Sequence, residues 1–448
     1  MRMDDVAPLV VDIDAARART LALFDDPQWP QPARLDAVVD AALERRDALL
    51  TLAERHATPF YAFDRNGFRG ALDSFRTAFD ATLPRHQAFY AVKSNHHPWV
   101  IDTAVAAGCG LDVSSGRELA WALARPGVPI VFSGPAKSDA DLTCALDHAD
   151  RVTVQLDSFR ELERLGALAA ARGERIGAGV RVHTRQHGAW SKFGIPLADL
   201  PRFWHKAQAW SGVDLCGIQS HLSWNRDAQP YEQVLADLGQ CLRVAFDADQ
   251  RRLLRFVDVG GGFRPHQLEG GVPTDHPLGA IAQAANDHAG AATRFASPWI
   301  AKPSVPLETY AAAIGRAFAD HILPVAGVAG WTEPGRIVST FAMHLVVRVV
   351  DRKSDGLVIV DGGTHMVGWE KYLHIHAPVV NLTRPARAAI PVVLGGSLCD
   401  CEDVLGSHCH ASAIEEGDVL AVPFQGAYTW ATAQAFIRDV PDVVEIGG

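Results

Sequence analysis

The sequence predicts an α/β protein with an added all-β part: a (β/α)8 barrel of the TIM type followed by a C-terminal β-sandwich or small β-barrel. Between about residues 86 and 336, short β-rich runs alternate with helix-like stretches, the signature of βα units around a parallel sheet. Eight such runs can be counted, the number that closes a barrel. Beyond residue 336, strand-like runs follow one another with turn residues and no helices between them.

The individual elements follow from these patterns. The eight β-rich runs are 86–95, 110–115, 130–137, 152–158, 177–184, 216–222, 255–262 and 330–336. Apolar residues near helical spacing predict helices between them, for example at 118–123, 138–148, 158–171 and 231–247. The strand-like runs of the C-terminal part are 341–351, 356–361, 391–394, 418–424 and 435–446.

We therefore expect an N-terminal helical extension at 1–45, a barrel at 46–325 and a β domain at 326–448, with residues near 46–62 compatible with either folded unit. The extension is rich in Ala, Asp and Arg, holds two weak helical patterns and is expected to pack on the surface. The connection at 263–303 is long for a βα loop and leaves the end of the barrel where active sites lie. A lid and a plain insertion both explain it.

Composition excludes several classes of protein. Of the 448 residues, 48% are hydrophobic and 21% are charged, as in a soluble globular protein with more than one core. The net charge of -10 argues against nucleic acid or an anionic membrane as partner. Seven scattered cysteines fit a reducing compartment, and neither an export signal nor an apolar run of spanning length is evident. We expect a cytoplasmic protein.

Lys93 is the most informative single residue. It follows five apolar or aromatic side chains, as at the end of a strand covered on both faces. Removal of an ammonium from water favours its neutral amine, which can attack a carbonyl carbon, as in enzymes that form a Schiff base. A lysine whose ammonium reaches out to water is the simpler explanation for an isolated case.

Other polar residues stand at the ends of predicted strands and would meet at one mouth of the barrel. Asp112 ends the second run, His221 the sixth, the glycines 260–262 the seventh, and Glu333 with Arg336 the eighth. Taken singly, each has a structural explanation as a helix cap, a core histidine or a tight turn. Jointly they supply a lysine, a glycine-rich phosphate cradle, a carboxylate for a ring nitrogen and an arginine for phosphate, which are the groups that pyridoxal phosphate requires.

The run Tyr-Ala-Val-Lys-Ser-Asn around Lys93 resembles the internal-aldimine motif of the fold-type III pyridoxal-phosphate decarboxylases. This family includes ornithine, arginine and diaminopimelate decarboxylases and shares its barrel with alanine racemase. The resemblance extends from about Pro59 to Val444 and implies pyridoxal 5'-phosphate as cofactor, held by Lys93. It also implies roles near the cofactor for Asp112, for His221 stacked on the ring, for Gly260, Gly261 and Gly262 at the phosphate, for Glu333 at the pyridine nitrogen, and for Gly335 and Arg336 at the phosphate.

Two C-terminal motifs complete the resemblance. The run 396–400 resembles the family's cysteine motif, and Gly426-Ala427-Tyr428 resembles that of a tyrosine that contacts phosphate. In the family both motifs enter the active site of the neighbouring subunit, which implies a homodimer with two shared sites. Cys399 is then the candidate proton donor to Cα, with Lys93 as the alternative, Asp400 the candidate contact for a distal substrate cation, and Tyr428 a contact for cofactor and substrate.

The sequence also departs from the family. Gly-Ser-Leu precedes Cys399 where the family usually has Gly-Pro and a small or polar residue. Trp224 occupies the position three after the histidine, often a phosphate-binding serine, although Ser223 could substitute from one residue away. No arginine stands at the spacing before 192–194 where ornithine decarboxylases place one near the cofactor hydroxyl. These departures indicate a divergent subgroup and leave the substrate open.

A metal site is a competing use of the C-terminal cysteine segment, since cysteine and histidine are zinc ligands. The spacing matches no common zinc motif, and a loop beside a cofactor explains Cys399 without a metal, so we expect none. The residues concerned are Cys399, Cys401, His408, Cys409 and His410.

The sequence thus predicts a lyase: a pyridoxal-phosphate-dependent decarboxylase of an amino acid or of a molecule derived from one. An amino-acid racemase or epimerase is the nearest alternative, although alanine racemases place an arginine at the ring nitrogen, where this chain has Glu333. A non-catalytic, decarboxylase-like binding protein is an alternative of another class. The retention of Lys93, Glu333, Arg336 and Cys399 argues against it.

Overall fold

The computed structural model describes residues 12–24, 35–188, 191–265, 267–269, 300–302, 304–367 and 377–447, with isolated positions between 278 and 288. The chain divides into two compact units. The first combines Met1–Asp64, His266–Pro303 and Met343–Gly448, and the second combines Arg65–Pro265 and Ser304–Ala342. Among the described residues, no helix is long and apolar enough to cross a membrane.

The N-terminal part contains the helices Ile13–Leu23, Asp36–Glu44 and Arg46–Arg55 and the strand β1 (Phe60–Phe63). All four residues of β1 are buried. Helix Ile13–Leu23 buries none of its residues, whereas the other two helices bury one face each.

The second unit is a closed barrel of eight parallel strands, in the order β2-β3-β4-β5-β6-β8-β9-β12 and back to β2. Each strand overlaps one of the eight predicted runs, so the barrel prediction is confirmed. The barrel strands are β2 (Gln87–Ala91), β3 (Gly110–Val113), β4 (Ile130–Phe132), β5 (Val152–Leu156), β6 (Ile176–His183), β8 (Val213–Gln219), β9 (Phe256–Asp258) and β12 (Ala329–Thr332). The short strand β7 (Ile195–Pro196) pairs with β6. Between β9 and β12, the strands β10 (Gln267–Glu269) and β11 (Ile300–Lys302) form a separate antiparallel pair.

Helices follow the barrel strands, and several begin at a serine cap. Ser115, Ser138 and Ser158 each accept the backbone N–H three residues on, which satisfies an amide that the helix itself leaves unpaired. The helices of this unit are Arg65–Asp80, Pro98–Ala106, Gly116–Leu123, Asp139–Leu146, Phe159–Arg172, Leu200–Ala207, Gln229–Ala245, Ala248–Leu253, Leu307–His321 and Arg336–Ser339.

The first unit is built on an eight-stranded mixed sheet in the order β14-β16-β17-β15-β18-β13-β1-β19. The long strand β13 pairs with β18 and β1 and also with β14, which closes six of these strands into a small barrel. The predicted C-terminal β domain is therefore confirmed. Its remaining strands are β13 (Met343–Ser354), β14 (Leu357–Val360), β15 (Val380–Asn381), β16 (Ala389–Gly395), β17 (Val404–His410), β18 (Val419–Val422) and β19 (Val443–Glu445).

The structure favours the alternative that residues 46–62 join the β domain, and it places the second boundary at 342/343 in place of the predicted 325/326. Residues up to Asp64 belong to the β domain because β1 pairs with β13 and β19. Residues 326–342 belong to the barrel because β12 is its eighth strand, between β9 and β2. The chain therefore enters the β domain, leaves it for the barrel and returns at Met343.

The N-terminal helices are not only a surface extension. Val39 and Leu49 lie in one buried cluster with Phe60 of β1, Val346 of β13 and Val380 of β15. Burial of these apolar side chains against the sheet makes the two helices part of the β-domain core. Of the long connection at 263–303, the lid prediction concerns residues that lie mostly outside the described ones.

Candidate active site

Lys93 lies in the 3-10 turn Val92–Ser94, directly after β2. Its Nζ donates to Asp112 Oδ2 on β3 at 2.7 Å, and the hydroxyl of Ser133 donates to Asp112 Oδ1. Asp112 is fully buried. Burial and the negative charge of Glu333 raise the pKa of Asp112, while the ammonium of Lys93 opposes the rise. The two strands thus hold an amine and a carboxylic group in contact at the carboxyl end of the barrel.

Glu333 is the second buried acid of the site and follows β12. Its Oε1 accepts the side-chain amide of Gln219 at 3.0 Å, and its Oε2 lies 3.1 Å from Nδ1 of His221. Burial alone would raise the pKa of Glu333, but His221 and the charges of Lys93 and Arg181 lower it to about 2. Burial lowers the pKa of His221. Near neutral pH the site therefore holds an ionised carboxylate beside a neutral imidazole.

The backbone brings the ends of the first and eighth barrel strands together. The amide of Ala91 donates to the carbonyl of Pro334 at 3.0 Å, and the amide of Glu333 donates to the carbonyl of Gly260 at 2.8 Å. A Cβ on Gly335 would lie 3.2 Å from that of Ala91. Lys93 and Glu333 are consequently fixed by the barrel itself.

The glycine run 260–262 has no room for side chains. A Cβ would come within 2.6 Å of a backbone oxygen at Gly260, 2.3 Å at Gly261 and 2.0 Å at Gly262. Gly260 and Gly262 also have φ values of +70° and +82°, which favour glycine. Only glycine satisfies both constraints, and the loop lets another group approach the backbone closely.

The loop after β8 lies beside this glycine run. The amide of Asn225 donates to the carbonyl of Gly262 at 3.0 Å. Trp224 packs its indole against the guanidinium of Arg336, with Cζ 4.5 Å from the ring centroid. Ser223, the predicted substitute for a phosphate-binding serine, is exposed in the same loop.

Arg181 is a site residue that the sequence analysis missed. It lies on β6 with 8% of its surface exposed, and its guanidinium stacks 4.3 Å from the ring centroid of Phe193. Burial lowers its pKa, while Glu333 and Asp112 are among the acids whose charge raises it. Although no arginine stands at the family's spacing before 192–194, Arg181 of β6 contacts Phe193 of that segment. The sequence feature that could have identified Arg181 is its place as a charged residue inside the apolar run Gly-Val-Arg-Val of a barrel strand.

Three further polar groups were also missed, since each lies inside one of the predicted runs and not at its end. Gln219 ends β8 and contacts Glu333, and Ser133 follows β4 and contacts Asp112. Asp258 ends β9 and accepts the amide of Gly260 at 2.8 Å. Burial and the charge of Glu333 raise the pKa of Asp258 well above its usual range.

The remaining predicted residues lie in the β domain. Cys399 is exposed on the loop between β16 and β17, with Asp400 next to it. Asp403 is buried and holds this loop by accepting the amide of Leu398 at 2.7 Å. Tyr428 has φ +59° in the segment after β18.

In the part of the chain that the structure describes, no three His, Cys, Asp or Glu side chains are grouped as metal ligands. Cys409 is buried on β17 between His408 and His410. Neighbouring residues of a strand point to opposite faces, which places Cys409 on the face opposite to that of His408 and His410.

The residues at the carboxyl end of this barrel meet the requirements of one cofactor, pyridoxal phosphate. The donor set fits this cofactor: an amine for its aldehyde, a carboxylate for its ring nitrogen, and backbone amides with an arginine for its phosphate. Residues 69–340 match the family model of the pyridoxal-dependent decarboxylases, pyridoxal binding domain. The chain belongs to this family, which confirms the predicted family, cofactor and amino-acid decarboxylase activity.

Relatives agree with this assignment along most of the chain. The diaminopimelate decarboxylase of Aquifex aeolicus is 25% identical over 414 residues, which cover 87% of this chain and 86% of that protein. The lysine/ornithine decarboxylase of Selenomonas ruminantium is 26% identical over 397 residues, covering 86% and 88%. The structure of diaminopimelate decarboxylase from M. jannaschii in complex with L-lysine has the same fold, with a TM-score of 0.73 at 21% identity over 89% of this chain and 90% of that one.

Proposed function

We propose that this chain decarboxylates an amino acid that carries a second, distal amino group, with Lys93 as the lysine that binds the cofactor covalently. The observation that carries the proposal is the buried constellation at the carboxyl end of the barrel, where Lys93 Nζ contacts Asp112 at 2.7 Å and Glu333 is held ionised by His221 and Arg181. The substrate class rests on relatives named for diaminopimelate, lysine and ornithine, which share a distal amino group.

Each residue has a defined task in this reaction. Bound pyridoxal phosphate supplies the sink for the electron pair left at Cα when carbon dioxide departs. Glu333 keeps the ring nitrogen protonated, which requires an ionised carboxylate at that position. Asp112 accepts a hydrogen bond from the amine of Lys93 and so orients it. Gly260–Gly262 and Arg336 bind the phosphate.

The proton that replaces the carboxylate comes from a second chain in this proposal. The partner subunit's Cys399 delivers it to Cα, and the partner subunit's Asp400 binds the distal cation of the substrate. The loop that carries both residues is exposed at Cys399 and anchored by the buried Asp403, so it combines accessibility with a fixed position.

Carbon dioxide release tests the reaction and the substrate class together. The protein with pyridoxal phosphate is assayed with L-lysine, L-ornithine, meso-diaminopimelate and L-norleucine, the last being lysine without its distal amine. We expect release from at least one diamino acid and little from norleucine. Inversion of chirality without carbon dioxide would establish a racemase, and equal turnover of norleucine would exclude recognition of a distal cation.

Borohydride reduction followed by peptide mapping tests the role of Lys93. We expect the pyridoxyl group on Lys93 in the wild-type protein and no activity in Lys93→Ala. Lys206→Ala, at a half-exposed lysine paired with Glu163, is the control and should keep full activity. A protein that never acquires visible absorbance with the cofactor would be a non-catalytic binding protein.

Mixing two inactive variants tests the shared site. In a homodimer with shared sites, random pairing of Lys93→Ala with Cys399→Ala leaves one intact site in half of the dimers, which restores about a quarter of wild-type activity. No recovery would mean that each site is built from one chain. Full activity of Cys399→Ala alone would remove the cysteine from the mechanism.

A further inference from the structure

Trp224 has a backbone conformation that tryptophan rarely adopts. It lies in the loop after β8 with φ +60°, in the left-handed region, where a Cβ is crowded by the backbone. Its side chain does not explain this by burial, since the residue is 41% exposed. A bulky, half-exposed residue with a strained backbone conformation is typical of a functional site, where the side chain has a role other than packing.

The indole contacts two cations. The guanidinium of Arg336 lies with Cζ 4.5 Å from the ring centroid, and that of Arg264 lies 5.4 Å from it. Arg264 is 4% exposed, so one of the two cations is removed from water. Attraction between a guanidinium and an aromatic face is strongest when the pair is shielded from solvent.

The backbone next to Trp224 is hydrogen-bonded to the glycine run. The amide of Asn225 donates to the carbonyl of Gly262 at 3.0 Å, and the amide of Arg264 donates to the carbonyl of Asn225 at 3.1 Å. The side-chain amide of Asn225 donates to the hydroxyl of Tyr231, which itself donates to the carbonyl of Gly261 at 2.7 Å. The residue next to Trp224 is thus bonded to the loop that would hold the phosphate.

An aromatic face suits an arginine that must bind an anion. An aromatic ring attracts the charge of a guanidinium through its face and does not accept hydrogen bonds from the N–H donors, which lie in the guanidinium plane. The ring therefore orients the arginine without competing for its ligand.

We propose that Trp224 is a positioning residue for the phosphate of the cofactor, which it serves by holding the guanidinium groups of Arg336 and Arg264 close to the glycine run. The proposal rests on the proposed function of the site. It gives Trp224 the task that a hydroxyl at this position would perform by direct hydrogen bonding, and it explains why the strained backbone is kept.

The variants Trp224→Gly and Trp224→Phe test this proposal. The glycine variant should keep its stability but bind the cofactor more weakly, whereas the phenylalanine variant should keep its affinity. Glycine adopts the left-handed region freely, so Trp224→Gly should melt at the same temperature as wild type or higher without cofactor. Its dissociation constant for pyridoxal phosphate should rise about 3- to 30-fold, the loss of a shielded cation–π contact. Trp224→Phe keeps an aromatic face and should bind within about 3-fold of wild type.

Two comparisons separate positioning from a general structural role. Pyridoxal, which lacks the phosphate, should bind wild type and Trp224→Gly equally, as measured by absorbance titration. Arg85→Gly relieves a positive φ of +47° in the segment before β2 and is the control for strain alone, with unchanged affinity for pyridoxal phosphate.

The possible results are distinguishable. A lower melting temperature with unchanged affinity in Trp224→Gly would make the residue structural and overturn the proposal, as would equal weakening of pyridoxal and pyridoxal phosphate. If the glycine variant failed to fold, Trp224→Leu, which also lacks an aromatic face, would make the same comparison between pyridoxal and pyridoxal phosphate. Failure of the wild-type chain itself to bind pyridoxal phosphate would instead refute the proposed function.

Discussion

At the scale of single residues, Asp258 is a buried acid whose charge the fold disfavours. Its Oδ1 accepts the amide of Gly260, and burial together with the charge of Glu333 raises its pKa well above the usual range. The folded chain therefore holds a proton that the unfolded chain releases above about pH 4. Asp258 therefore lowers the free energy of unfolding progressively as the pH rises above about 4.

Asp258→Asn should remove this pH dependence. The amide oxygen still accepts from Gly260, but the side chain no longer ionises. We expect the variant to gain stability relative to wild type as the pH rises above about 4, by at most about 1.4 kcal/mol for each pH unit. Urea unfolding at several pH values measures this, with the exposed Asp249→Asn as control. A stability difference that is the same at every pH would contradict the assignment of the proton.

Glu333→Gln tests the second acid through activity. Glutamine has nearly the same shape and keeps a contact with Gln219 or His221, but it lacks the charge that holds a proton on the ring nitrogen. We expect kcat to fall about 10²- to 10³-fold while pyridoxal phosphate still binds. Carbon dioxide release with saturating cofactor is the measurement, and Glu163→Gln on the surface is the control. Wild-type turnover in Glu333→Gln would refute the role of the carboxylate.

The residues that could be predicted from the sequence are those that end strands. Lys93, His221 and Glu333 each follow a β-rich run, and parallel strands bring such ends to one edge. Arg181 and Gln219 could not be assigned in this way because they lie inside the predicted runs 177–184 and 216–222 and not at their ends. Which side of a barrel strand faces inward depends on its pairing with two neighbours, and the apolar pattern alone does not decide this.

At the scale of elements, a buried ion pair joins the segment after β4 to the helix Phe159–Arg172. Lys137 Nζ donates to Glu161 Oε1 at 2.9 Å and to the carbonyl of Gln155 at 2.8 Å, and Glu161 Oε2 accepts the amide of Asp157 at 2.7 Å. Both side chains are almost completely buried. The ammonium and the carboxylate therefore each have a partner of opposite charge and a backbone hydrogen bond. Burial lowers the pKa of Lys137.

Removal of one partner should cost more than removal of both. Lys137→Met leaves a buried carboxylate and is expected to lower the free energy of unfolding by about 3–5 kcal/mol. In the double variant Lys137→Met with Glu161→Leu the loss should be smaller, because no unpaired charge remains. Denaturant unfolding of the three proteins gives both values. A single variant as stable as wild type would show that the pair is accessible to water.

Elements with local signals were predicted, and those that depend on distant pairing were not. The barrel strands repeat with helices between them, and all eight were found. The four-residue β1 has the same apolar texture but joins β13, about 280 residues further on, so its position in the β domain could not be inferred from spacing. The strand β17 was not predicted either, because Ser407, His408 and His410 interrupt the apolar pattern of a strand.

At the scale of the whole molecule, burial of histidines makes the protein sensitive to acid. Burial lowers the pKa of nine histidines among the described residues, and for three of them the pKa is about 4. The nine are His86, His96, His97, His183, His187, His221, His344, His408 and His410. Because the unfolded chain binds these protons near pH 6.5 and the folded chain does not, stability present above pH 6.5 is lost as the pH falls towards 4.

Three described carboxyls with raised pKa values act in the opposite sense, namely Asp112, Glu118 and Asp258. The histidines outnumber them, so we expect the melting temperature to fall on the order of 5 °C between pH 7.5 and 5. His96→Gln, at the histidine stacked on Trp121, should reduce the fall, whereas Asp258→Asn should make it steeper because it removes an opposing group. A melting temperature that is constant or rises over this range would mean that carboxyls, and not histidines, govern the acid response.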